Sequence, residues 1–356
     1  MNIGVFGNYG HSNIGDEAIL RGLLVLLKNH DVTVFTDDID LSYSIHGNKS
    51  NFKLTRPEVS GRLYLLPLVI ISLIKNILSV NVVIIGGGGL FNNINPNAFI
   101  QYVFVILLSK FFFRQVYIIG VSVGPLNKNW MKRILRCVSR LVGKVYVRDE
   151  KSAKFFQKAK VIPDLAMHAE VQVEHRLNDE EYVVAISAMD INIKGNHLIQ
   201  KNYRIDLEQF LEHLMSLDLD LSINLLAMDF KRDIEELRHV QQFCLQNNIK
   251  NNLTIASSFE DVEKAICNSN LVIATRLHAG ILAQLYEIPY LSISYQEKVS
   301  NYMFSHGLDK NCVTEDNNSR FNLIETYKNL NTDPQSMKSE NLKLKKELSN
   351  LSGIIK

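Results

Sequence analysis

Leu271-Val272-Ile273-Ala274-Thr275-Arg276-Leu277-His278-Ala279-Gly280, running into Ile281-Leu282-Ala283-Gln284-Leu285-Tyr286, is the stretch whose reading decides the fold. A short apolar run without alternation predicts a strand buried on both faces, as in a parallel sheet. The apolar segment behind it predicts a helix over 281–286, and Pro289-Tyr290-Leu291-Ser292-Ile293 predicts the next strand. Arg276 and His278 then sit on a strand-to-helix turn, where the first N–H groups of the helix lack internal partners and attract anions. Lys298 falls just past the end of the next strand, twenty residues after His278. In an open parallel sheet both positions lie on the edge where ligands bind. Two fixed cations and one titratable imidazole on one rim suit a small, highly charged anion that needs a proton moved. The bland alternative is an arginine that caps a carbonyl and a histidine that packs; spacing alone does not separate the two.

The 356 residues exceed one ordinary core, so two domains are expected. Hydrophobic content of 46% and charged content of 21% fit a globular protein, and a net charge of +2 gives no global argument for nucleic acid as a partner. Cys137, Cys244, Cys267 and Cys312 have no paired spacing, which predicts free thiols in a reducing, cytoplasmic compartment and no cysteine-based metal site. No secretory signal is visible ahead of the first predicted strand. The apolar segments 63–74 and 99–113 are interrupted or stopped by Pro67, Lys75, Lys110 and Arg114, and read as buried helices too short to span a bilayer.

In chain order, a strand over 2–6 feeds Gly7-Asn8-Tyr9-Gly10-His11-Ser12-Asn13-Ile14-Gly15-Asp16-Glu17, then a helix over 18–28. The glycines permit a tight turn and close approach of a ligand. Asp16 and Glu17 lie where the helix dipole stabilises carboxylates, so each reads as a cap or as a working acid-base group. The spacing fits neither a dinucleotide fingerprint nor a P-loop. Strands are predicted over 32–35 and 80–85, the second ending in a loop of Gly86, Gly87, Gly88 and Gly89 that exposes backbone amides. A strand over 115–121, a basic helix over 128–142, a strand over 144–149 that carries Arg148, and a helix over 152–158 complete the first half. The charged, aperiodic segment 168–181 reads as a linker. Strands over 182–187, 221–227 and 253–256 then alternate with helices over 207–217, 229–246 and 259–268. The expected architecture is α/β, two Rossmann-like domains (1–167 and 182–333) whose parallel sheets face a central cleft, with a helical tail over 334–356.

The ordered set of motifs resembles the polysaccharide pyruvyltransferase family. The matching segments are 7–18, the Gly86 to Phe91 run, Val121-Ser122-Val123-Gly124-Pro125, Val147-Arg148-Asp149, Pro163-Asp164, Arg276-Leu277-His278-Ala279, and Pro289 through Tyr295 to Lys298. One departure is Asp164-Leu165-Ala166, where the family commonly has proline after the aspartate. The resemblance implies a twin-Rossmann, GT-B-like fold and transfer of pyruvate from phosphoenolpyruvate onto two sugar hydroxyls, with release of phosphate. It assigns Arg148, His278 and Lys298 to the donor, beside Arg276, with His278 as the titratable group. Gly7, Asn8, Asn13, Gly15, Glu17 and the four glycines at 86–89 form the acceptor or anion loops. Asp16 or Glu17 is the candidate base. Phosphoenolpyruvate serves as donor substrate without a cofactor or metal, since fixed cations suit its carboxylate and phosphate. The implied acceptor is a sugar of a surface polysaccharide or of its polyprenyl-pyrophosphate-linked precursor. A glycosyltransferase or sugar-nucleotide 2-epimerase of the same architecture, and a non-catalytic anion-binding scaffold, are the alternatives.

Two features lie outside the site. Lys128, Lys132, Arg136, Arg140 and Lys144 recur every four residues, with Arg133 alongside and Trp130 near the start. Residues four apart are helical neighbours, so this stripe reads as a solvated face or as a peripheral contact with anionic lipid. In the tail, Met337, Asn341, Leu344, Leu348, Leu351 and Ile355 follow a heptad seam, which predicts packing onto the protomer, fraying, or a homo-oligomer contact.

Overall fold

The computed structural model describes residues 1–46, 52–55, 66–171, 181–192, 197–256, 258–330 and 334–351. The chain divides into two compact units: Met1–His11, Asp16–Glu170 and Leu344–Lys356 form the first, and Ser12–Gly15 with Val171–Lys343 the second. Most of the expected linker, 172–180, and residues 63–65 of the first apolar segment lie outside the described residues.

The first unit runs β1 (Asn2–Phe6), α1 (Ile14–Leu26), β2 (Asp31–Phe35), α2 (Ile39–His46), β3 (Phe52–Thr55), α3 (Leu66–Leu78), β4 (Val82–Phe91), α4 (Pro96–Phe111), β5 (Gln115–Val123), α5 (Asn129–Ser139), β6 (Lys144–Val147), α6 (Glu150–Ala153) and β7 (Ala159–Val161). A 3-10 turn, Leu165–His168, follows. Its seven strands pair in the order β3-β2-β1-β4-β5-β6-β7, every pairing parallel. The strand order reverses between β1 and β4, so their C-terminal ends flank the crevice where such sheets bind ligands. The core over one face gathers Val83, Ile85, Val116 and Ile118 with Ile77 of α3, Phe99, Val103 and Ile106 of α4, and Met131, Leu135 and Val138 of α5.

The second unit runs β8 (Tyr182–Ser187), α7 (His197–Met215), β9 (Leu221–Ala227), α8 (Ile234–Gln246), β10 (Lys250–Ile255), α9 (Phe259–Cys267), β11 (Leu271–Ala274), α10 (Leu277–Leu285), β12 (Tyr290–Ser294), α11 (Glu297–Ser305), β13 (Cys312–Thr314), α12 (Leu323–Lys328) and α13 (Pro334–Ser349). Six strands pair in parallel in the order β10-β9-β8-β11-β12-β13. This order reverses between β8 and β11. All four residues of β11 are buried, as a continuous apolar run requires.

Three expectations need correction. The four glycines at 86–89 are not a loop; they lie within β4, and Gly86 and Gly88 pair with Ile119 and Val121 of β5. Gly87 and Gly88 take left-handed backbone angles (φ 68° and 75°) beside a register shift, which glycine adopts without a side-chain clash. Helix α1 starts at Ile14 rather than residue 18. The Asn13 side chain accepts the Gly15 N–H at 3.2 Å, and the Ile14 N–H donates to the Met228 carbonyl at 2.8 Å, so the turn is organised earlier. Basic helix α5 stops at Ser139 rather than residue 142.

The tail forms α13. Met337, Asn341, Leu344 and Leu348 are all buried, so the protomer itself covers these seam positions. Asn341 donates to the Gln284 carbonyl at 2.6 Å. Ile355 lies outside the described residues.

Candidate active site

In the second unit the site grows from the end of β11. Thr275 is fully buried; its N–H donates to the Ser187 carbonyl of β8 at 2.9 Å, and its hydroxyl meets that of Tyr203 at 2.9 Å. These bonds fix the strand end at the sheet's reversal point. Arg276 is the N-cap of α10 in extended conformation, without a side-chain cap bond. Its guanidinium turns instead to Asp233, with Nε 3.0 Å from Oδ1 and Nη2 2.5 Å from the same oxygen. Asp229 lies 3.7 Å from Nη2. Burial works against the charged guanidinium, but the hydrogen bonds and charge of Asp233 outweigh it and raise its pKa above the ordinary value. Burial pushes the Asp233 carboxyl up, against the opposing pull of Arg276. Arg276 is thus a brace between the β11–α10 turn and the start of α8, its charge met by carboxylates.

Asp229 also holds the N-terminal loop. It accepts the Ser12 hydroxyl at 2.6 Å, and Asn13 forms an antiparallel bridge with it. This places Gly15 under His278, which is the second residue of α10: a Cβ built on Gly15 would lie 2.2 Å from imidazole Nδ1. Only a glycine lets the ring sit there. Lys298, exposed in the first turn of α11, lies over the Tyr295 ring at 5.7 Å from its centre. Burial raises the Tyr295 phenol, while the nearby charge of Arg276 lowers it. Tyr295 therefore connects the lysine to the arginine brace. The structure brings Arg276, His278, Gly15 and Lys298 into one neighbourhood of this unit.

In the first unit, Asp16 and Glu17 separate in role. Glu17 is fully buried; it accepts the Gly10 N–H at 2.8 Å and meets His46 Nε2 at 2.6 Å. Its carboxylate organises the loop from inside. Asp16 accepts from the Asn8 amide at 2.7 Å and lies against Gly88, where a Cβ would come within 2.8 Å of Oδ1. Gly89 is exposed, with open space where its side chain would be. Gly7 and Gly86 serve packing: a Cβ on Gly7 would strike the Tyr9 ring, whose hydroxyl donates to the Gly86 carbonyl at 2.7 Å. Arg148 is likewise a brace. Its Nη1 donates to Asp164 at 2.9 Å and its Nε donates to the Ser122 hydroxyl. Asp164 also caps the 3-10 turn through the Ala166 N–H, which explains how the aspartate functions here without a following proline.

Sequence reasoning missed Asp229 and Asp233, and gave Ser12 and Tyr295, which lie inside the matching segments, no role of their own. The two aspartates stand four apart before a helix, a pattern that also marks an ordinary helix start. Among the described residues, no three His, Cys, Asp or Glu side chains gather as a metal-holding group, and no helix is long and apolar enough to cross a membrane.

Comparison with curated proteins finds no match. Among solved structures, UDP-GlcNAc 2-epimerase from Neisseria meningitidis, bound to UDP-GlcNAc, is 13% identical, with 99% of this chain and 98% of that chain covered and a TM-score of 0.61. HepE from Anabaena, solved with UDP and glucose, is 12% identical over 99% and 95% of the chains, with a TM-score of 0.58. UDP-GlcNAc 2-epimerase from Methanocaldococcus jannaschii is 12% identical over 99% and 99%, also at 0.58. At these identities the likeness is one of fold: two Rossmann-like units in a GT-B-like chain. The family model for polysaccharide pyruvyl transferases matches residues 13–297, from the loop that seats His278 to the start of α11, and the chain belongs to that family.

Proposed function

We propose that the protein transfers pyruvate from phosphoenolpyruvate to two hydroxyls of a sugar, forming a ketal and releasing phosphate. Membership of the family supports pyruvyl transfer to a polysaccharide. The observation that carries the donor assignment is the seating of His278 on Gly15 in the first turn of α10, with Lys298 on Tyr295 beside the Arg276 brace.

In the proposed reaction a proton adds to the methylene carbon of the enol, and a sugar oxygen bonds to the neighbouring carbon. The bond from that carbon to the phosphate oxygen breaks, and the second hydroxyl takes its place. Of the two hydroxyl protons, one balances the new methyl group and the other leaves on phosphate. His278 is the proposed proton donor, since imidazole changes charge near neutral pH. Lys298 is the proposed point charge for phosphate or carboxylate. Asp16, kept in place by Asn8, is the proposed base for a sugar hydroxyl. Arg276 and Arg148 act as positioning residues through their aspartate partners. The scheme requires no cofactor. The proposed acceptor is a surface-polysaccharide sugar or its polyprenyl-pyrophosphate-linked precursor, and on this reading the enzyme works in the cytoplasm.

The test is phosphate release from phosphoenolpyruvate with lipid-linked glycans, followed by mass spectrometry of the glycan. Pyruvylated product that disappears in His278→Ala is the expected result. Turnover of UDP-GlcNAc without any dependence on phosphoenolpyruvate would replace this reading with a sugar-nucleotide one.

A further inference from the structure

Helix α4 breaks the usual rule for a surface helix. Its inner face, Phe99, Tyr102, Val103, Val105 and Ile106, is buried, yet its outer face is apolar too. Ile100, Phe104, Leu107 and Phe111 follow one another at helical spacing, and all are exposed, Phe111 to 72%. The helix then ends in Lys110-Phe111-Phe112-Phe113-Arg114. Phe113 takes a left-handed backbone angle (φ 57°) at the position after the C-cap, where glycine is the usual residue, and its ring is 95% exposed. Folding alone gives no reason for a phenylalanine there.

The apolar stripe is bordered by cations. Phe99 of α4 meets Trp130 of α5 edge to face at 6.0 Å, so the two helices lie side by side over the same core. Trp130 is the only tryptophan of the chain, and it is exposed. Beyond it α5 presents Arg133 and Arg136, with Lys128 and Arg140 at its ends, all exposed. Arg114 donates to the Leu78 carbonyl at the end of α3, where Leu78 is exposed as well. Residues 59–148 contain eleven Lys and Arg and no Asp or Glu, in a chain whose net charge is +2. One part of the chain is therefore strongly basic and the remainder net acidic.

We propose that the outer face of α4, with Phe113, Trp130 and the cations of α5, is a docking surface for an anionic phospholipid bilayer. The aromatic rings enter the headgroup boundary while Lys and Arg meet lipid phosphates. Charge complementarity selects this occupant: a second copy of the chain would set like charges against each other across a self-complementary interface. The inference stands apart from the chemistry assigned to His278, and its test uses no turnover.

The full chain is mixed with phosphatidylcholine vesicles, with and without phosphatidylglycerol. Flotation and a blue shift of Trp130 emission on the anionic vesicles alone are expected. Phe104→Ser with Phe111→Ser and Phe113→Ser should abolish the blue shift and weaken binding more than tenfold. Lys132→Gln with Arg136→Gln and Arg140→Gln should weaken it about fivefold per charge. The six side chains are exposed or part-exposed, so the thermal midpoint should hold in both variants. No binding to anionic vesicles overturns the proposal. So does binding that the phenylalanine variant leaves unchanged, which would be charge attraction without insertion. A dimer in light scattering that the phenylalanine variant dissociates, without vesicle binding, would give the face to a second copy and overturn it as well.

Discussion

The imidazole of His278 occupies the space that a side chain on Gly15 would need: a Cβ there would lie 2.2 Å from Nδ1 and 2.7 Å from Cγ. The glycine of the N-terminal loop and the histidine 263 positions later in sequence are thus one arrangement. Gly15→Ala should push the ring aside without emptying any core. A displacement of about 1 Å at a catalytic group can cost roughly a hundredfold in rate. The expected outcome is a kcat for phosphate release lower by about that factor, with the far-UV spectrum intact. Wild-type kcat in this variant would show that the position of His278 does not matter to turnover.

Arg276 and Asp233 give a prediction about stability. Asp233 is fully buried and the Arg276 side chain is 15% exposed. Asp233→Ala leaves the guanidinium short of its main counter-charge and removes the acceptor for the Asp229 N–H. Breaking such a pair typically costs about 3 kcal/mol. Asp233→Asn keeps an acceptor and should lose less. Urea unfolding checks both, and a loss below about 1 kcal/mol for the alanine variant would mean that the brace contributes little.

The same pair shows how far sequence could reach. Strands β8, β9 and β11 are read from sequence at their observed limits, because strands buried on both faces are continuous apolar runs between polar breaks. The glycines at 86–89 mislead, since four glycines signal a loop; pairing with β5 and the packing of Ile19 on Gly87 carry the strand through them. His278 and Lys298 are legible as site candidates because a strand end fixes each. The partners of Arg276 and Arg148 are not, since Asp233 stands 43 residues from Arg276 and joins it only through the sheet order.

Cysteine chemistry follows from burial. Cys137 on α5 is exposed, whereas Cys244, Cys267 and Cys312 are buried. Burial pushes their thiols up to about 11, about 12 and about 11. Because the thiolate is the nucleophile, these three should react slowly. Native protein at mildly alkaline pH should show one fast thiol with a disulfide reagent, and Cys137→Ser should remove it. A second fast thiol would contradict the buried placement of the others.

The last prediction concerns acid stability and the first unit. His168 closes the 3-10 turn after Asp164, and its pKa is lowered below 6.5 by burial, then by Lys345 of α13 and Lys28, with Glu170 opposing. The unfolded chain therefore binds this proton more readily than the folded one. The contribution of neutral His168 is complete above about 6.5 and is lost as pH falls through the lower folded-state pKa. His11 works in the opposite sense, because the hydrogen bond from its ring to Asp37 raises its pKa. The wild-type slope is thus a sum, and a variant is needed to isolate one term. His168→Gln should flatten the decline of the urea midpoint between pH 7 and about 5. Lys345→Gln, which removes one lowering charge, should narrow the pH range of the decline. If the His168→Gln profile parallels wild type through this range, the turn and α13 do not hold His168 neutral.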